Sequence, residues 1–115
     1  MTINEYQKLA MRTNDGMCDN RLHEKENIGE LINGALGLTG EAGEVSDMIK
    51  KHVFHGHELN KDEIIKELGN VCWYVALLSY AINVPLEDIL QKNVDKLKRR
   101  YPEGFSEESS INRKE

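Results

Sequence analysis

The chain reads as an all-α protein, a helical bundle of about four helices, on three observations. Aromatic residues are 6% of the 115 and proline contributes only 2, while Leu, Ile, Val, Glu and Lys dominate the periodic segments, a composition that favours helices. Apolar residues recur at intervals of three and four over stretches longer than ten residues. The long stretches are separated by helix-ending residues, at His55-Gly56-His57 and at Asn83-Val84-Pro85. The length suits one domain with one modest core. The expected limits are residues 1–102 for the domain and 103–115 for a loose C-terminal tail of low apolar content.

Residues 2–13 spell a short amphipathic helix, with Thr2 or Asn4 as its cap and Ile3, Tyr6, Leu9 and Ala10 on one side. Residues 14–27 are polar and turn-rich and read as a loop, with His23 a solvated member. A second helix should begin near Asn27 or Ile28 and run to about Phe54. It carries Gly29, Gly34, Gly37, Gly40 and Gly43, each costing about 1 kcal/mol relative to Ala. Either another helix or a ligand comes close there, or residues 28–36 are partly a loop.

Gly56 suits a left-handed helix cap, and His55 and His57 beside it read as turn residues. Asn60 or Asp62 can cap a third helix from about Lys61 to Ile82. On it Ile64, Leu68, Val71, Val75, Leu78 and Ile82 make one apolar stripe, near which Cys72 is expected to pack as a small hydrophobe. Trp73 falls opposite that stripe. It marks a second interface, as in an oligomer, or a surface on which a nucleobase stacks. Pro85 suits the first turn of a fourth helix, Leu86 to Arg100, with Ile89, Leu90, Val94 and Leu97 as its apolar line. Asn93, Lys96 and Arg100, at i, i+3 and i+7, form a row able to hold phosphate oxygens, or else a solvated face near a helix C-terminus.

Charge and motifs narrow the function. The formal charge is −5, so there is no basic footprint for a long nucleic acid, and an acidic protein handling a polyanion needs a metal between the like charges. Cys18 and Cys72 have no metal-binding spacing. No apolar run of 18 residues and no secretory pattern occurs, so no membrane association and a cytoplasmic location are expected. There is no internal repeat, Gly-rich phosphate loop, H-E-x-x-H or nucleophile elbow.

The acids of residues 36–70 carry the chemistry. Glu41 and Glu44 stand three apart, as do Glu67 and Asn70, so each pair shares a helix face. At 100° per residue Val45, Met48 and His52 fall within roughly 40° of Glu41, and Glu44 about 60° away. Glu67 borders the apolar stripe of the next helix, and Asn70 lies further round on the polar margin. Acids beside a core-facing stripe cost several kcal/mol unless paired or coordinated. Salt bridges to lysines at the stripe edge would satisfy them; two pairs on helices that fold back on each other would instead cage a hard cation, Mg2+ or in its place Mn2+. Neither pair is Glu-x-x-His, which argues against a ferritin-like di-iron bundle.

The runs GLTGEAGEVSDMIKKHVFHGH, ELGNVCWYVALL and NVDKLKRRYPEGF resemble the MazG-like nucleotide pyrophosphohydrolases of the all-α NTP pyrophosphatase superfamily, over roughly residues 3–106. The family motif is E-x-x-E followed some twenty residues later by E-x-x-D, and Glu41, Glu44 and Glu67 match three of its four acids. The resemblance implies a bundle completed by dimerisation or tetramerisation. It also implies Mg2+-dependent hydrolysis of a nucleoside triphosphate, ordinary or non-standard, to the monophosphate and pyrophosphate. Asn70 departs from the motif. Its carbonyl can still ligate, but the cage falls from −4 to −3, which is expected to weaken Mg2+ binding unless Asp47 or a neighbouring subunit supplies the charge.

On this reading Glu41, Glu44 and Glu67 are the catalytic acids and, with Asn70, the metal ligands. One Glu takes the proton of the attacking water. Asn93, Lys96, Arg100, Lys51 and Trp73 are the substrate-binding candidates. The rival expectations are a nucleotide-binding sensor that has lost turnover, and a dimeric helical adaptor whose Glu pairs are structural.

Overall fold

The computed structural model describes residues 1–113. It is all-helical, with six α-helices and no β-strand among the described residues. Helix α1, Ile3–Ala10, starts from a capping box: Glu5 N–H donates to Thr2 Oγ1 at 3.1 Å, and Thr2 N–H to Glu5 Oε2 at 2.7 Å. A 3-10 turn, Met11–Thr13, follows it. The segment expected to be loop throughout contains a six-residue helix α2, Cys18–His23, whose Arg21 pairs with Asp15 in the turn before it. So short a helix has no apolar period to read.

Two long helices form the frame. Helix α3 spans Ile28–His55 and helix α4 spans Lys61–Ala81. Gly56, at φ 74°, ends α3 in the left-handed conformation that glycine adopts without a Cβ penalty. Asn60 starts α4 by accepting from Glu63 N–H at 3.2 Å. At the far end of the hairpin, Asn27 Nδ2 donates to the Ala81 carbonyl at 3.2 Å.

Residues 28–36 are helical, and two of the glycines answer why. A Cβ on Gly34 would lie 2.7 Å from Leu78 Cδ2, and one on Gly37 only 2.2 Å from Tyr74 Cε1, so α4 packs onto α3 through the missing side chains. The contacts step along both helices by three or four residues in opposite directions: Gly34 to Leu78, Gly37 to Tyr74, Glu41 to Asn70. The hairpin is antiparallel with a fixed register.

That register turns α4 away from its own hydropathy. At 100° per residue the side facing α3, through Glu67, Asn70, Tyr74 and Leu78, lies roughly 70° round from the middle of the apolar stripe. Asn70, expected on a polar margin, therefore faces α3. The far half of the stripe stays open: Leu68 and Ile82 are half-exposed. Cys72 is exposed instead of packed, because it belongs to this uncovered half.

Helix α5, Leu86–Arg100, starts after Pro85, which stands just before the first helical residue. The turn is fixed by Ser79 Oγ donating to the Val84 carbonyl. Within the segment expected to be loose, Glu107–Ile111 form a short helix α6 capped by Ser106; residues 114–115 of that segment lie outside the described residues. No described helix is long and apolar enough to cross a membrane.

One chain buries little. Among the described residues only Gly34, Ser79 and Ala81 are buried, while Leu36 and Phe54 are 70% and 77% exposed. The accessible surface is 9795 Å², against about 6,400 Å² for a folded monomer of 13.2 kDa. The radius of gyration is 20.3 Å, against about 13 Å for a compact domain of this length.

Candidate metal centre

The register brings the Glu41–Glu44 and Glu67–Asn70 pairs together. Glu41 stands opposite Asn70, whose Nδ2 donates to Glu41 Oε2 at 3.4 Å, and one turn along Glu44 stands beside Glu67. Glu41, Glu44 and Glu67 each offer an oxygen, and these atoms lie within 4.8 Å of one another. Three carboxylates so placed repel. The pKa of Glu67 is pushed up to about 7, first by sharing a hydrogen bond with Glu41, then by loss of solvent, then by Glu44. Its Oε2 is buried without a hydrogen-bond partner.

An orphaned acid oxygen between two further carboxylates fits a cation. All the donors are hard oxygens from short-range helical positions, which suits Mg2+ or Mn2+ better than soft metals. Asn70 gives its N–H to Glu41, and its carbonyl oxygen is the atom a cation would take. Asp47 does not join the group. Its oxygens are held by Lys51 at 2.7 Å and Lys50 at 3.5 Å, and the Lys51 ammonium, ahead of Lys50, holds its pKa below the usual value.

A family model for the MazG nucleotide pyrophosphohydrolase domain matches residues 31–105, a span that includes the whole acid cluster. The chain belongs to the MazG family. It is also similar to the Gene 37 protein of Mycobacterium phage L5, at 38% identity over 82 residues, covering 68% of this chain and 72% of that one. No solved structure matches it significantly.

Within this MazG domain the substrate-binding candidates are scattered. Trp73, 58% exposed, stands beside the acid cluster: with Glu41, Asn70 and Tyr74 it lines a depression of about 400 Å³. Its ring meets Tyr74 edge-on, with centroids 5.1 Å apart and planes at 85°. Lys51 is engaged by Asp47 and lines a different hollow with Met48 and His57. Asn93 and Lys96 line another, on α5, with Lys92, Asp95 and Arg99. Arg100 is half-buried at the end of α5. Among the described residues, the hollow lined by Asn93 and Lys96 contains none of the three acids.

Tyr74 lines the depression beside Trp73, and sequence reasoning did not single it out as a candidate. Nothing in its own neighbourhood marks it. Its signal is relational: it stands one turn beyond Asn70 and faces Gly37, one turn before Glu41.

Proposed function

We propose that this protein is a Mg2+-dependent nucleoside triphosphate pyrophosphohydrolase. Family membership supports the reaction class, and the observation that carries the reading is the convergence of Glu41, Glu44 and Glu67 oxygens within 4.8 Å. Glu41, Glu44 and Glu67 would hold the ion with the Asn70 carbonyl, and bound Mg2+ supplies charge neutralisation and Lewis acidity at the triphosphate. The α3–α4 register holds the carboxylates in place before substrate arrives, so little reorganisation is needed on reaction.

The attacking water loses its proton to a glutamate oxygen of the cluster. Its oxygen bonds to the α-phosphorus, the α–β anhydride bond breaks, and pyrophosphate leaves with the monophosphate as co-product. Lys96 and Arg100, with Asn93, would steady the phosphates from a second copy of the chain, since in one chain Asn93 and Lys96 line a hollow that holds none of the acids. The uncovered half of the α4 stripe and the excess accessible surface support a homodimer or homotetramer.

A second reading rests on Asn70. An amide at the fourth position, already hydrogen-bonded to Glu41, leaves the cage at −3 and favours a nucleotide-binding sensor with slow or no turnover. Pyrophosphate release from a panel of standard and modified nucleoside triphosphates, with Mg2+ and with EDTA, separates the two. Mg2+-dependent release supports the enzyme. Nucleotide-induced thermal stabilisation without release supports the sensor.

A further inference from the structure

Four of the glycines of α3 behave as two pairs. Gly40 and Gly43 have open space where a side chain would be, whereas Gly34 and Gly37 are roofed by α4. Gly37 is the tighter of these: an added Cβ would stand 2.2 to 2.4 Å from Tyr74 Cε1, Cζ and Cδ1. Ordinary carbon contacts are about 3.5–4.0 Å, so the Tyr74 ring lies directly across the α3 backbone. A flat ring cannot bend out of the way, so with any side chain at 37 it must swing, or the helices must part.

The other side of that ring matters. Tyr74 meets Trp73 edge-on, and both line the depression that also reaches Glu41 and Asn70. Glu41 follows Gly37 by one turn on α3, and Asn70 precedes Tyr74 by one turn on α4. The aromatic layer is therefore stacked next to the acid layer of the hairpin. We propose that Gly37 is a positioning residue for nucleobase recognition: its missing side chain seats Tyr74 across α3, and Tyr74 sets Trp73 as the aromatic wall on which the base of the nucleotide stacks. This deepens the pyrophosphohydrolase reading and rests on it for the identity of the ligand.

The geometry separates Gly37 from its neighbour. Gly34 is also tightly roofed, at 2.7 Å from Leu78 Cγ and Cδ2, but Leu78 lines no part of the depression. Substitution at 34 strains the hairpin without touching the aromatic wall.

Trp73 is the sole tryptophan of the chain, so its fluorescence reports the wall directly. The full-length protein is titrated, with Mg2+, with α,β-methylene nucleoside triphosphates carrying each base and with inorganic tripolyphosphate. Emission should be quenched by the nucleotides and not by tripolyphosphate. Gly37→Ala should raise the nucleotide Kd about tenfold, stacking on an aromatic ring being worth ~1–3 kcal/mol per base, and leave the tripolyphosphate Kd, measured by calorimetry, unchanged. In turnover it should raise KM and spare kcat. Gly34→Ala should lower Tm yet leave both affinities alone.

The proposal is overturned if nucleotide leaves Trp73 emission unchanged, if Gly37→Ala weakens nucleotide and tripolyphosphate alike, or if Gly34→Ala weakens nucleotide as much as Gly37→Ala does. Should Gly37→Ala not fold, Tyr74→Leu replaces it, with the same selective loss expected and an unchanged nucleotide Kd overturning the proposal. Absence of pyrophosphate release together with base-dependent quenching would sink the enzymatic reading and leave this inference standing.

Discussion

Asn70 Nδ2 donates to Glu41 Oε2 across the hairpin at 3.4 Å, so the one site residue that departs from the acidic motif of the family is joined to the site by a long hydrogen bond. The bond has a defined cost and benefit. It gives Glu41 a neutral partner where a fourth acid would add repulsion, and it withholds one negative charge from a cation. Asn70→Asp is therefore expected to lower Tm in EDTA and to raise it more steeply with Mg2+. The Mg2+ affinity should improve by about tenfold, a modest return for a unit charge at contact distance in a partly solvated site. Thermal melts across a Mg2+ series read both effects.

Glu44 is the most exposed of the three acids, so it contributes little to packing. Glu44→Gln keeps the shape and removes a charge. Mg2+-dependent pyrophosphate release should fall by about 10²-fold or more, with the circular dichroism spectrum and the EDTA melting point retained or slightly improved as repulsion is relieved. Parental activity in this variant would remove Glu44 from the site.

Much of the fold was legible because its signals are local. Thr2, Gly56 and Asn60 mark helix ends through their own side chains or backbone freedom, and each does so in the structure. The Glu41–Glu44 and Glu67–Asn70 pairs were legible because helical spacing alone puts each pair on one face. What hid from sequence depends on register. Hydropathy places the middle of the α4 stripe at Ile64, Val71 and Val75, yet α3 approaches on the flank of Glu67, Asn70 and Tyr74, because Gly34 and Gly37 admit the helix there. The position of Tyr74 over Gly37 and the exposure of Cys72 follow from that rotation, and the hollow of the Asn93–Lys96 row depends on where α5 packs. None could be read from one helix at a time.

The raised pKa of Glu67 makes the stability of the metal-free protein depend on pH in an unusual sense for an acid. In the unfolded chain the group titrates near 4.5, and in the folded chain near 7. Between those values the folded state binds more protons than the unfolded state, so stability falls as pH rises through this window and levels off above it. Denaturant melts in EDTA from pH 4.5 to 7.5 should show this slope. Glu67→Gln should remove it, and saturating Mg2+ should suppress it, since a cation replaces the proton between the carboxylates. A slope of opposite sign in the parent would mean the three acids do not converge in solution.

The uncovered half of the α4 stripe sets the last expectation. Ile65 is 65% exposed, and Leu68, Cys72 and Ile82 are exposed on the same side, away from α3. Apolar surface of this kind on a chain that buries so little is stabilised by about 25 cal/mol per Å² when a partner covers it. Sedimentation should find a dimer or tetramer at micromolar concentration, and Tm should rise with protein concentration, as mass action requires when association and folding are linked. Leu68→Asp places a charge on that face. It should shift the equilibrium to a smaller species, abolish the concentration dependence of Tm, and lower nucleotide hydrolysis in step with dissociation if the α5 row of one copy serves the acids of another. A parent that sediments as a monomer with a concentration-independent Tm would require the hairpin to stand alone, and the α5 row would then have no route to the triphosphate.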